Sequence, residues 1–156
     1  MKIVIVGNGL AGTLTAKALR DEDKHSEIEI FAKENYLYYP RPNLIEFIAG
    51  RLPYDRLFAF PERWYAQQRF HVRLATPVLR IHPASREIET AGGRKAGYDV
   101  LLLAGGAQPF VPPIRGADKK GVFSLRTLDD ALEILEWGKT RGTAAVIGGG
   151  LLGLEI

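Results

Sequence analysis

The sequence predicts an α/β fold, in which a parallel sheet carries helices on its faces and a small antiparallel β insertion. Three observations lead there. Short β-branched runs alternate with helically spaced apolar residues near the amino terminus. The 17 glycines among 156 residues cluster just after apolar runs instead of spreading as a linker would. A strand-then-glycine pattern at the start returns near the end. A chain of 156 residues, 46% hydrophobic and 25% charged, suits about one ordinary domain with a normal core.

Lys2–Val6 is a β-branched run ended by Gly7 and reads as a buried strand. Residues 10–21 follow as a helix, with Leu10, Leu14 and Ala18, and Ala11, Ala16 and Leu19, supplying apolar faces. Residues 21–24 form a polar turn, and Glu27–Phe31 is a second strand. Strand, helix and strand within about 30 residues make a βαβ unit, whose two strands must run parallel. Aromatics and prolines block a helix over residues 36–42, residues 44–49 fit one short helix before Gly50, and residues 61–68 fit another. Residues 70–74 and 76–81 read as strands, and Glu87–Thr90 pairs through Gly92-Gly93 with the stretch before Tyr98, giving the antiparallel insertion. Residues 99–104 are the strongest buried strand and end at Gly105-Gly106. Thr127 and Asp130 have capping-box spacing ahead of Leu128, Ala131, Leu132 and Leu135, with Gly142 expected at the C′ position of that helix. Residues 143–147 are expected to be a further strand, leading into Gly148-Gly149-Gly150-Leu151-Leu152-Gly153.

The segments Val6-Gly7-Asn8-Gly9-Leu10-Ala11-Gly12 and Ile147 to Gly153 are therefore one pattern, a strand followed by G-x-G-x-x-G. Gly7 turns the chain tightly out of the strand, Gly9 removes the Cβ that would block a pyrophosphate, and Gly12 brings helix and strand together. Phosphates then lie over unpaired amides at the positive end of the helix. Dinucleotide binding on a Rossmann-like domain follows. The second strand of such a unit usually ends on an acid that holds a ribose hydroxyl. Here that slot falls at Ala32, which cannot make the bond, and Glu34 two residues on is the candidate substitute. The second copy stops just after its glycines, so the chain is expected to be a fragment: 1–141 an incomplete first domain, 142–156 the first strand and glycine turn of a second, truncated Rossmann domain.

Other chemistries are set aside by composition. With 0 cysteines the chain holds no disulfide, thiolate zinc, iron–sulfur ligation or cysteine nucleophile. A net charge of +3, from 21 basic residues interspersed with 18 acidic ones, makes no phosphate-tracking stripe, so no nucleic-acid partner is expected. No apolar run approaches the roughly 18 to 20 residues of a membrane span, and no secretory leader is expected ahead of the first strand. A cytoplasmic protein without membrane attachment is expected. His25, His71 and His82 show no ligand spacing, so neither a metal nor a histidine catalyst is assigned, and Tyr36, Tyr38 and Tyr39 fit ordinary packing.

The whole chain resembles the front part of the pyridine nucleotide-disulfide oxidoreductase superfamily. The two glycine motifs are joined by Tyr39-Pro40-Arg41-Pro42-Asn43-Leu44, which is similar to the arginine-proline segment of its rubredoxin reductase, ferredoxin reductase and NADH-nitrite reductase branch. Residues 101–109 resemble its apolar strand ending in A-T-G, with Gly105 where Thr is usual, and residues 122–130 resemble its lead into the NAD domain. The nitrite-reductase-like branch fits best. The resemblance implies an FAD-binding domain whose first motif contacts FAD at Gly7, Gly9 and Gly12, with the Leu10 and Ala11 amides nearby, and a second motif that binds NAD(P)H through Gly148, Gly150 and Gly153. It further implies Arg41 and Pro42 beside the flavin and its phosphates, Val78 facing the adenine, and Ala104, Gly105 and Gly106 passing close to the cofactor. Electrons from NAD(P)H would reach an acceptor protein or domain of rubredoxin, ferredoxin or sirohaem type without a local thiol. Relatives carry Ser-Lys where this chain has Ile45-Glu46, and Glu155 matches the acid that pairs with that lysine. Glu46 and Glu155 would then form a carboxylate pair near the flavin and nicotinamide, raising one pKa, or turn apart. Two other readings stand beside this one: a non-catalytic FAD-binding docking module, and an NAD-only Rossmann dehydrogenase in which the second motif is coincidental.

Overall fold

The computed structural model describes residues 1–155. Along the chain the elements are β1 (Lys2–Val6), α1 (Leu10–Glu22), β2 (Glu27–Phe31), α2 (Asn43–Ile48), α3 (Glu62–Gln67), β3 (Phe70–Arg73), β4 (Val78–His82), β5 (Glu87–Thr90), β6 (Lys95–Gly97), β7 (Val100–Leu103), α4 (Leu128–Gly138) and α5 (Leu151–Glu155). A 3₁₀ turn at Tyr54–Arg56 has no counterpart in the sequence reading. The residues fall into two compact units, Met1–Tyr39 with Phe58–Gly106, and Pro40–Leu57 with the residues from Ala107 onward.

The first unit is built on a four-stranded parallel sheet of order β3-β2-β1-β7. Alternation sorts its side chains. Ile3, Ile5, Ile28 and Ile30 face one side, where they pack with Ala16 of α1, Tyr65 of α3 and Phe70. Val4 and Phe31 face the other, against Ile88 and Ala96 of the antiparallel sheet β4-β5-β6. Strands covered on both faces must be apolar on both, which is why β1 is apolar from Ile3 through Val6. The expected fold class is what the structure has, with α1 and α3 on one face and the antiparallel insertion on the other. Register sets Val6 beside both Phe31 and Leu103, and Phe31 beside Arg73, so the carboxyl ends of all four strands lie flush.

Glu29 breaks the apolar pattern of β2. Only 2% of its side chain is exposed, and its carboxylate accepts from Arg73 Nε at 2.9 Å and Arg94 Nη2 at 3.0 Å, with Lys2 Nζ at 3.2 Å. Arg94 lies on the β5–β6 connection, so the group ties the antiparallel sheet to the parallel one. Burial pushes the Glu29 carboxyl up, but the Arg73 hydrogen bond and the Lys2 and Arg94 charges outweigh it and hold the group below its ordinary 4.5. A depressed folded-state pKa contributes stability that is full above the unfolded value and is lost as pH falls through the folded one. Glu29→Gln is expected to cost about 2 kcal/mol at pH 7 and to flatten the loss of stability below pH 4.5. Urea unfolding at pH 7 and pH 3 measures both.

Arg20 reads in the sequence as one member of a solvated mixed-charge surface, yet it is 5% exposed. Its Nε donates to the Gln68 carbonyl and its Nη1 to that of Asp23, each at 2.9 Å, and its guanidinium lies over Phe70. A cation at the last carbonyls of α1 and α3 complements both helix ends. The turn after α1 is closed by Asp23, whose carboxylate accepts from the Ser26 hydroxyl and the amides of His25 and Ser26 and is held far below the usual carboxylate range by those bonds.

In the second unit α2 packs against α4. Gly50, at φ +71°, closes α2 in a Schellman motif, with Arg51 N donating to Glu46 O at 2.9 Å and Gly50 N to Phe47 O at 3.0 Å. The capping box of α4 forms: Thr127 Oγ1 accepts from Asp130 N at 3.1 Å, and Asp130 Oδ2 accepts from Thr127 N at 2.7 Å. Thr127→Ala is expected to cost about 1 kcal/mol, read as a lower denaturant midpoint at unchanged m-value.

Two expectations here need correction. The helix behind Thr127 ends at Gly138, capped by Lys139, so Gly142 is not its C′ residue. Short turn bonds from Thr140 N to Trp137 O and from Arg141 N to Gly138 O terminate it, and Gly142 lacks the positive φ of such a cap. Residues 143–147 form no strand, and Val146 and Ile147 are 53% and 81% exposed. A strand exists through ladder hydrogen bonds, and among the described residues of this unit there is no strand to supply them.

Candidate functional site

The flush carboxyl edge of the parallel sheet is where open α/β sheets bind ligands, and the first glycine turn sits on it. Gly7 leaves β1 with φ +113°, its amide donating to Phe31 O at 2.8 Å. A Cβ there would lie 2.1 Å from the Ala104 carbonyl oxygen. A Cβ on Gly12 would lie 1.9 Å from Gly7 O and 3.3 Å from Ile5 Cγ2, so this glycine lets α1 sit down on β1. Gly9 differs from both. Its backbone is extended at φ −87° and ψ −166°, open to any residue, and its Cβ would meet nothing within 4 Å. The protein's own packing does not require a glycine at position 9.

Gly9 is also the N-cap of α1, with no side chain bonded to the helix amides and no acid in the first turn. Leu10 is 59% exposed and Ala11 is exposed as well. The amide-bearing, electropositive end of a 13-residue helix thus lies beside the open space above Gly9. A clear space, unpaired donors and no carboxylate fit a phosphate group.

The remaining candidates in this unit lie along the same edge. Ala32 is buried, its amide donating to Arg73 O at 2.9 Å and its carbonyl accepting from Thr76 N at 2.7 Å. Glu34 is half-buried, its Oε2 accepts from the Tyr39 hydroxyl at 2.5 Å, and its carbonyl accepts from Ala75 N. These backbone bonds draw the 74–77 connection up to the end of β2 and place Val78 at the start of β4, beside Thr90. Ala104 N donates to Val6 O, and the Ala104–Gly105 backbone is what crowds Gly7. That crossing accounts for the glycine at position 7, whereas a Cβ on Gly105 would meet nothing within 4 Å.

Sequence reasoning missed a polar group beneath the turn. Thr13 is fully buried and its Oγ1 donates to Asn8 Oδ1 at 3.1 Å, while Asn8 Nδ2 donates to Tyr36 O at 3.4 Å. Nearby, the hydroxyl of Tyr65, from α3, accepts from Tyr38 N at 3.2 Å. No spacing rule links Asn8 to Tyr36 or Tyr65 to Tyr38; only the folded chain brings them together.

In the second unit Pro42 is the N-cap of α2, and Arg41 Nη1 donates to the Arg126 carbonyl at 3.0 Å, just ahead of the α4 capping box. Glu46 is held by Arg51 through Nε at 2.7 Å and Nη2 at 2.8 Å. That hydrogen bond, with the guanidinium charge, keeps the Glu46 carboxyl below its ordinary range. The upward shift expected for a carboxylate pair does not occur at Glu46, because its partner is a cation. Glu46, Arg51 and Glu155 line one open cleft of about 320 Å³ with Pro42 and Ile45. The second glycine turn repeats the geometry of the first. Gly148 has φ +121°, a Cβ on Gly153 would lie 2.0 Å from Gly148 O, and Gly150 would meet nothing within 4 Å. Leu154 N donates to Gly150 O at 3.1 Å as Thr13 N donates to Gly9 O at 2.9 Å.

Among the described residues no three His, Cys, Asp or Glu side chains come together as metal ligands, and His82 is engaged with Glu89 at 3.0 Å. No helix among them is long and apolar enough to cross a membrane.

Comparison with known proteins bears on this geometry. The family model described as pyridine nucleotide-disulphide oxidoreductase matches residues 1–156. The chain is 37% identical over 155 residues to the nitrite reductase [NAD(P)H] large subunit of Klebsiella oxytoca, covering 98% of this chain and 16% of that protein. It is 34% identical over 155 residues to the assimilatory nitrate reductase electron transfer subunit of Bacillus subtilis, covering 99% of this chain and 20% of that one. Among solved structures, the NADH:rubredoxin oxidoreductase of Clostridium acetobutylicum superposes with a TM-score of 0.90 at 34% identity, over 99% of this chain and 40% of that one. The chain thus spans well under half the length of each of these relatives.

Proposed function

Since the chain belongs to the pyridine nucleotide-disulphide oxidoreductase family, we propose that it is the FAD-binding portion of an NAD(P)H-dependent flavoprotein oxidoreductase. The observation that carries this reading is Gly9. Its neighbours Gly7 and Gly12 are glycines because the protein would otherwise collide with itself, whereas at Gly9 a side chain would enter only the space in front of the α1 amides. A bare Cα there suits a pyrophosphate that must approach the backbone closely.

In this reading the Leu10 and Ala11 amides hold the pyrophosphate. Glu34, oriented by the Tyr39 hydroxyl, takes the ribose hydroxyl that Ala32 cannot reach. Val78 serves the adenine, and Ala104 to Gly106 border the site. Arg41 and Pro42 are the second unit's candidates for FAD, and Gly148, Gly150 and Gly153 its candidates for NAD(P)H. Residues 1–141 belong to the FAD domain and 142–156 begin the NAD(P) domain. Bound FAD would supply hydride acceptance and onward electron transfer, while the chain supplies position and electrostatics. With 0 cysteines in these 156 residues, no thiol of this chain relays the electrons. The acceptor is a partner protein or domain of rubredoxin, ferredoxin or sirohaem type, in keeping with relatives named for nitrite and rubredoxin.

Titrating the 156-residue chain with FAD, followed by flavin fluorescence, tests the binding step. Saturable binding that NAD⁺ does not displace supports the reading; saturable binding of NAD⁺ with none of FAD overturns it in favour of an NAD-only dehydrogenase. In the longer protein, bleaching of the flavin band near about 450 nm by NADH separates an enzyme from a non-catalytic docking module.

A further inference from the structure

We propose that Asp130 is a positioning residue for Arg41, acting through the peptide unit between Arg126 and Thr127. The carboxylate holds one end of that peptide, the peptide's carbonyl holds the Arg41 guanidinium, and the cation is set in place before a phosphate meets it. The role rests on the reading of Arg41 as an FAD residue.

The chain of bonds is short and runs through one trans peptide. Asp130 Oδ2 accepts from Thr127 N at 2.7 Å, and on the far side of the same peptide the Arg126 carbonyl accepts from Arg41 Nη1 at 3.0 Å. Asp130 Oδ2 also accepts from Arg126 N at 2.9 Å, which fixes the peptide's orientation as well as its place. In a trans peptide the N–H and C=O point in opposite directions. A carboxylate at the one and a guanidinium at the other therefore polarise it in the same sense, and each bond strengthens the other. All of these groups belong to the second unit, where α2 packs against α4.

Capping α4 does not by itself call for Arg41. The capping box is complete with Asp130 N donating to Thr127 Oγ1 at 3.1 Å and Thr127 N to Asp130 Oδ2. The first helical bond runs from Ala131 N to the Thr127 carbonyl, so the Arg126 carbonyl, one residue earlier, is left to another donor. Arg41 is suited to be that donor. It stands between Pro40 and Pro42, whose rings lock φ on either side, and its carbonyl accepts from Leu44 N at 3.1 Å at the entry to α2. With the backbone restrained in this way, the Arg126 carbonyl sets the side chain. An arginine has many rotamers, and ordering it at binding weakens a ligand about fivefold; ordering it during folding removes that loss. A guanidinium already fixed presents its planar donors to a phosphate in a set geometry.

The test uses the full chain with Asp130→Ala, Asp130→Asn and Thr127→Ala. Thr127→Ala is the control, because it removes a cap bond from α4 but not the bonds from Asp130 to the two backbone amides. Without ligand, the ¹⁵N order parameter of the Arg41 Nε–H is expected to fall in Asp130→Ala. It is expected to hold in Thr127→Ala and in Asp130→Asn, which keeps an accepting oxygen. FAD is expected to bind Arg41→Gln about tenfold more weakly, Asp130→Ala about fivefold more weakly, and Thr127→Ala as it binds the parent. Adding Asp130→Ala to Arg41→Gln is expected to weaken binding no further, since the group that Asp130 positions is already gone. An unchanged Arg41 order parameter in Asp130→Ala overturns the proposal whether or not the chain binds FAD. Equal losses of FAD affinity in Asp130→Ala and Thr127→Ala, or additive losses in the double variant, overturn it too. A lowered order parameter in Asp130→Ala, with Arg41→Gln binding FAD as the parent does, supports the tether and removes Arg41 from the FAD reading instead.

Discussion

Gly9→Ala is expected to fold like the parent chain and to bind FAD about 30-fold more weakly. The backbone at Gly9 lies in a region that alanine occupies freely, and beyond its two chain neighbours the added methyl meets nothing within 4 Å. Alanine is a poorer N-cap than glycine, a loss of about 1 kcal/mol at most. Against this, the methyl stands where a pyrophosphate must pack on the backbone, and intrusions of that kind cost about 1 to 3 kcal/mol even when neighbours can adjust. The two effects are read separately, by thermal unfolding of the ligand-free chain and by titration with FAD. Full FAD affinity in a folded Gly9→Ala chain would sink the assignment of this turn to the pyrophosphate.

Gly12→Ala is expected to do the reverse, destabilising the ligand-free chain by about 3 kcal/mol or more and lowering its thermal midpoint by roughly 10 °C. Its Cβ would stand 1.9 Å from the Gly7 carbonyl oxygen, and a backbone atom cannot rotate aside as a side chain would. Relief requires α1 to lift from β1, uncovering Ala16 over Ile3 and Ile5. Thermal melts of Gly9→Ala and Gly12→Ala side by side give the contrast, and a Gly12→Ala chain as stable as the parent would contradict the packing described for α1. Two letters of the motif thus answer to the protein's own packing, and the third, in the reading proposed above, to a ligand.

Much of the fold is legible in the residues because it follows from local rules. Lys2–Val6, a β-branched run ended by glycine, and Glu27–Phe31, following a polar turn, both form strands over those limits. Thr127 and Asp130 stand at capping spacing, and the box forms. The failures are elements whose existence depends on a neighbour. Residues 143–147 have strand composition but no adjacent strand among the described residues, so they make no ladder. Arg20 belongs to a mixed-charge helix by composition, but two helix ends converge on it and bury it. For Glu46, where relatives carry a lysine, the residues leave two outcomes open, a carboxylate pair with Glu155 or the two turned apart. The Schellman turn at Gly50 brings Arg51 back to meet Glu46.

The candidate site divides in the same way. The sequence by itself determined the family, the two glycine turns and their order, because each turn is a contiguous string whose backbone demands are written in its own residues. Tertiary structure alone decided which of those glycines the protein's own packing requires and which it leaves free, since that depends on whether Ala104 and Gly7 lie across from the missing Cβ. It also decided that Glu34 is oriented by Tyr39, that Thr13 bonds Asn8, and that Asn8 reaches the Tyr36 carbonyl beneath the turn. The last of these joins residues 28 positions apart and arises when a parallel sheet sets the ends of distant strands side by side. Local strings encode turns and caps; the neighbours of a side chain are fixed only when the sheet closes over it.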